Sequence, residues 1–193
     1  NSNLPRHDEP NHEAHHADPF YPRFWPSKLD IPIDRKKPTG YFVCDMSDLF
    51  GKGIPEQWTW SVLNFIKACP QHRFYLLTKQ PQNLIKYSPF PDNCWVGVST
   101  IGNDCRSGFE DIFRDIRAKV KFVSIEPLLD YTPMDFRWVD WVIIGAMTPC
   151  NPKTLPKPEW VAEIMTACDK AGIPVFVKPP LSKIMGIKRE EMP

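Results

Sequence analysis

Nine side chains able to carry charge or hydrogen-bond stand directly behind apolar runs in this sequence. Asp45, Ser47 and Asp48 follow YFVC, Thr78 and Lys79 follow FYLL, and Ser99 and Thr100 follow WVGV; Glu126 follows KFVSI, and Lys178 follows VFV. Carboxylates accept from an amine or a ribose, while lysines and hydroxyls hold a carboxylate, so the set suits a small zwitterionic or hydroxyl-rich ligand. Lys79 and Glu126 are the candidates for chemistry and the others for binding. Pro127 steers Glu126 away from helical geometry and holds it extended at a rim. A lysine at such a position could instead form a Schiff base if burial depressed its pKa. Strand ends are also polar simply because they emerge into water; the repetition along the chain is what favours a site.

Positioning these groups takes parallel strands. Apolar runs at 41–44, 74–77, 95–98, 121–125, 141–144 and 175–177 alternate with helical patterns. Over Pro55–Cys69, the residues Trp58, Val62, Phe65, Ile66 and Cys69 share one helical face, and Phe109, Ile112, Phe113 and Ile116 share another. Pro158–Ala171 buries Val161, Ile164, Met165 and Cys168 and closes on Gly172 as a left-handed cap. Strands separated by crossovers wind right-handed into an open sheet or a barrel. No G-x-G-x-x-G or G-x-x-x-x-G-K appears, so the expectation is a partial TIM-like α/β barrel of about six parallel strands. The expected organisation is a flexible tail and a Pro/aromatic-rich arm over 1–40, the partial barrel over 41–181 and a C-terminal tail over 182–193. The prolines of Pro19–Pro38 predict an extended arm whose Phe20, Tyr21, Phe24 and Trp25 lie against the body.

Composition narrows the function classes. A net charge of +1 provides no field to draw the surface to nucleic acid or anionic lipid in bulk. No run of eighteen apolar residues and no export signal is present, which points to a cytoplasmic chain without a membrane span. The cysteines at 44, 69, 94, 105, 150 and 168 form no C-x-x-C pair and read as small core residues, so no metal is assigned. His12, His15 and His16 read as part of a solvated tail rather than a metal site. Among the tryptophans, only Trp25 and Trp95 are candidates to face a ligand, and neither has a basic companion run.

The segments FYPRFWPSKL, YFVCDMSDLFGKGIPEQW, CPQHRFYLLTKQPQNL, NCWVGVST, VKFVSIEPLL, DWVIIGA and AGIPVFVKPPL together resemble the phage gp-thirty-seven/gp-sixty-eight family, radical-SAM-like proteins with a domain of unknown function. The resemblance spans roughly Pro19 to Leu181. It implies a partial TIM barrel whose first strand carries C-x-x-x-C-x-x-C, three thiolates that hold a [4Fe–4S] cluster for S-adenosylmethionine. The motif is absent from this sequence. The expectation is therefore a truncated or degenerate member whose first strand is missing and whose cluster would need an upstream cysteine motif. By the same resemblance, Asp45, Ser47 and Asp48 would lie near the methionine end of S-adenosylmethionine, with Thr78, Lys79, Ser99, Thr100 and Glu126 lining the rest. Tyr41–Cys44 would then form an edge strand, open to a missing segment or another chain. Two other functions stay open: a non-catalytic, phage-associated accessory protein, and a cofactor-free lyase using Lys79 or Lys178.

Overall fold

A computed structural model of the chain describes residues 22–102, 109–130 and 135–193. Its frame is a six-stranded parallel sheet in strict sequence order, curled into a half-barrel: β1 (Gly40–Val43), β2 (Arg73–Thr78), β3 (Cys94–Thr100), β4 (Val120–Ile125), β5 (Trp141–Ile144) and β6 (Val175–Val177). The partial α/β barrel expected from the sequence is thus the architecture observed. β1 lies at one edge, as expected.

The strands are apolar on both faces, as parallel strands must be when helices cover one side and side chains fill the other. The outer face, with Leu76, Val96, Val98, Val123, Ile125, Val142, Ile144, Val175 and Val177, packs into one large core with the helices. α2 (Glu56–Ala68) buries Thr59, Val62, Leu63 and Ile66. α3 (Phe109–Asp115) buries Phe113, and α4 (Pro158–Ala171) buries Val161, Ile164 and Cys168 before closing on Gly172 at φ 69°.

The inner face carries its own cluster, in rows set by the strand register. Tyr75, Trp95 and Val120 form one row; Leu77, Gly97, Phe122 and Trp141 form the next. Trp95 and Trp141 meet edge to face with centroids 5.7 Å apart, and Trp141 meets Phe122 at 5.6 Å and Phe176 at 6.2 Å. Phe122 can lie across β3 only because position 97 is glycine: a Cβ there would sit 2.4 Å from its ring.

The arm departs from the extended form expected of it. Pro26–Leu29 is a 3-10 turn and α1 spans Asp30–Asp34. Pro26 and Pro32 are tolerated because both fall in a first turn, where the missing N–H has no intrahelical acceptor to lose. Phe24 stacks on Trp58 at 5.5 Å, while Trp25 is 42% exposed; Phe20 and Tyr21 lie outside the described residues. The arm is tied down by His72, a side chain only 1% exposed. Its Nδ1 accepts from the Thr39 N–H at 3.2 Å, and its Nε2 lies 2.8 Å from the Pro32 carbonyl oxygen, which makes the ring a neutral Nε2–H tautomer donating to that oxygen.

At the other edge, the chain beyond β6 forms α5 (Leu181–Met185) and then returns to the sheet. Val177 N donates to Arg189 O at 2.9 Å, and Glu191 N donates to Val175 O at 3.1 Å. Arg189 bridges Asp169 and Glu191, both at 2.8 Å, and Trp141 Nε1 donates to Glu191 O at 2.8 Å.

Candidate functional site

The strand pleat divides the polar strand ends into two groups. Successive residues point to opposite faces, so neighbours in sequence such as Thr78 and Lys79, or Ser99 and Thr100, do not share a surface.

In the first group, some side chains bond to the chain's own loops and others stand exposed on them. Asp48 is occupied by the chain itself: Oδ2 accepts from Thr78 Oγ1 and from Lys79 N, both at 2.9 Å, and Oδ1 accepts from Phe50 N at 3.0 Å. Thr78, buried to 1% exposure on the outer face, accepts from Gln80 N at 2.9 Å. These bonds fasten the loop after β1 to the end of β2. Thr100 is equally buried and accepts from Gly102 N at 3.2 Å. Asp45, Ser47 and Lys79 are exposed on the loops. Cys44 turns the chain out of β1 with φ 57°.

The second group converges on the inner face. Ser99 and Ser124 are register partners in the row that continues through Ile143 and Phe176. One step higher, the parallel ladder continues as Glu126 N donates to Thr100 O, Gly145 N to Ile125 O and Lys178 N to Ile144 O. Glu126, Gly145 and Lys178 therefore occupy one row, on β4, β5 and β6 in turn. Glu126 leans across the bare backbone at position 145 and its Oε2 meets Lys178 Nζ at 2.7 Å. A Cβ at position 145 would stand 2.8 Å from Glu126 Cγ, Cδ and Oε1, so glycine is what lets the carboxylate cross β5. The pair is partly open to solvent, with the lysine side chain 42% and the glutamate 29% exposed.

The rim of the half-barrel thus offers a carboxylate, an ammonium and two hydroxyls above an apolar floor. Of the residues singled out from the sequence, Ser99, Glu126 and Lys178 come together; Asp48, Thr78 and Thr100 serve the loops. Ser124 and Gly145 complete the group and went unassigned from sequence. Their signals were a lone hydroxyl in an apolar strand, two positions before Glu126, and a glycine directly behind WVII.

The described cysteines do not suit an iron–sulfur cluster. Cys69, Cys94 and Cys168 belong to the outer core, with Cys44 and Cys150 packed against it. Burial pushes the thiols of Cys94 and Cys168 up to about 12, the reverse of what a thiolate ligand needs. Cys105 and the histidines at 12, 15 and 16 lie outside the described residues. Among the described residues no three His, Cys, Asp or Glu side chains gather as a metal site, and no helix is long and apolar enough to cross a membrane.

Fold and rim together define an α/β half-barrel with a charged mouth at the carboxyl ends of its strands. The chain belongs to the family described as protein of unknown function (DUF5131), whose model matches residues 5–180. No curated protein and no solved structure gives a significant match.

Proposed function

We propose that this half-barrel binds a small zwitterion of the S-adenosylmethionine kind at its upper rim, as a radical-SAM-like member of its family. The carrying observation is the Glu126–Lys178 pair seated over Gly145. Two opposite charges held side by side at a strand-end mouth match the ammonium and carboxylate of an amino-acid moiety: Glu126 takes the ammonium, Lys178 the carboxylate. Each then exchanges one ionic partner for another, which limits the desolvation penalty of binding. Ser99 and Ser124 supply hydroxyls one row below. Bound S-adenosylmethionine would bring an activated sulfonium. The described cysteines offer no ligand set for a cluster that would cleave it, so the role of these residues is to bind and orient the ligand.

The test is calorimetry and thermal shift with S-adenosylmethionine, S-adenosylhomocysteine and decarboxylated S-adenosylmethionine. Ligand at one hundred times its Kd stabilises the fold by about 2.7 kcal/mol. The first two ligands should bind, the decarboxylated one at least tenfold more weakly, and Glu126→Gln or Lys178→Gln should each cost at least tenfold. A flat titration at millimolar ligand, or unchanged binding in both variants, overturns the reading.

A further inference from the structure

A second concave surface lies at the other end of the sheet, away from the charged rim. It is a groove of about 1180 Å³ beneath the amino ends of the strands. α2 contributes Trp60 and Lys67, two turns apart on one helix face; β2 contributes Arg73 and Tyr75, β3 Trp95, and the residue just before β4 is Lys119. Trp60 is 43% exposed and braced edge to face by Tyr87 at 5.1 Å, so it presents a fixed aromatic surface. Trp95 is buried at 5%, but the Arg73 guanidinium lies over its ring at 4.1 Å and is itself exposed, extending the stack toward solvent. Among the described residues, Asp92 is the only acidic side chain lining the groove, against three cations. Lys67, Arg73 and Lys119 make no ion pair among the described residues.

We infer that this groove binds a short single-stranded nucleic-acid segment, with bases stacking on Trp60 and on the Arg73–Trp95 pair and phosphates meeting Lys67, Arg73 and Lys119. Planar surfaces alternating with unpaired cations are what a flexible strand with exposed base faces requires. The chain as a whole, at +1, has no such bias. The basic companion that Trp95 lacks in sequence arrives from the neighbouring strand. A proline-rich peptide would use the aromatic surfaces but leave the cations without partners.

The experiment is fluorescence anisotropy of the full chain with labelled oligo-dT and oligo-rU of about 15 nucleotides, the upper length of a single-strand site. Three phosphate contacts give a salt slope of about −2, a loss of about 20-fold between about 50 and about 200 mM salt. Reversing Arg73→Glu together with Lys119→Glu should abolish binding at the lower salt. Trp60→Ala, an exposed position that leaves the core intact, should weaken it about 5-fold or more. Preference between the two oligomers tells DNA from RNA and is compatible with the inference either way. The inference falls if neither oligomer binds at the lower salt, if binding survives the charge reversal, or if a proline-rich peptide binds while both oligomers do not. None of these outcomes depends on a ligand at the upper rim.

Discussion

The inner face of the half-barrel uses the same device twice, to opposite ends. At Gly97 a missing side chain admits the ring of Phe122 from the next strand; at Gly145 it admits the carboxylate of Glu126. The lower seat is closed and apolar: Phe122 is 0% exposed and lies against Trp141. The upper seat is open, and the side chain that crosses it ends in an ion pair. One teaches how the sheet is held together, the other how a site is held in shape. Burial stabilises the first, whereas a partly exposed ion pair contributes little net stability to the second.

The largest effect should come from emptying the lower seat. Phe122→Ala removes a fully buried ring and should cost about 3–5 kcal/mol in chemical denaturation, with little change in ligand affinity of the folded fraction beyond that loss. Next, Gly97→Ala forces a methyl to 2.4 Å from a ring with nowhere to go, and should cost about 1–3 kcal/mol. Gly145→Ala meets a flexible side chain instead, so it should cost about 1 kcal/mol or less while displacing Glu126 from Lys178 and weakening zwitterion binding. Equal stability losses at the two glycines would break the comparison. Smallest of all, Glu126→Gln should change stability by less than about 1 kcal/mol, since both partners are partly solvated.

A pH scan sharpens the same contrast from the edge of the sheet. The Arg189 guanidinium, followed by the Val175 N–H, holds the Glu191 carboxyl below its ordinary value. A carboxyl whose folded pKa is depressed stabilises the fold above its unfolded value, about 4.3, and loses that contribution as pH falls through the folded value. Acidification below about pH 4 should therefore loosen residues 189–191 from β6. Exchange of the Val177 and Glu191 amides should report this before the aromatic floor melts.

Much of the scaffold was legible in the sequence because apolar period and length decide it. β5 and α4 carry the expected bounds, and the strands are parallel and consecutive. The rim was only half legible. Counting the polar residues behind each strand does not say which of two neighbours faces inward, and the pleat sent Thr78 and Thr100 to the helix side while Ser99 and Glu126 went in. Asp48 looked available as a ligand because nothing local reveals that Thr78 and Lys79, thirty positions on, occupy it. The return of residues 189–191 to β6 was hidden for the same reason: a short segment laid along an edge is specified by its partner, not by its own periodicity.

The two margins of the sheet are unequal in what they allow. Along β6 the backbone already bonds to 189–191, while along β1 nothing among the described residues takes up the outer side. Among the described residues, β1 is therefore the margin whose backbone stays open to a further strand. Among the described residues the trough is an arc, and for β1 to curl round and pair with β6 the 189–191 segment would first have to let go.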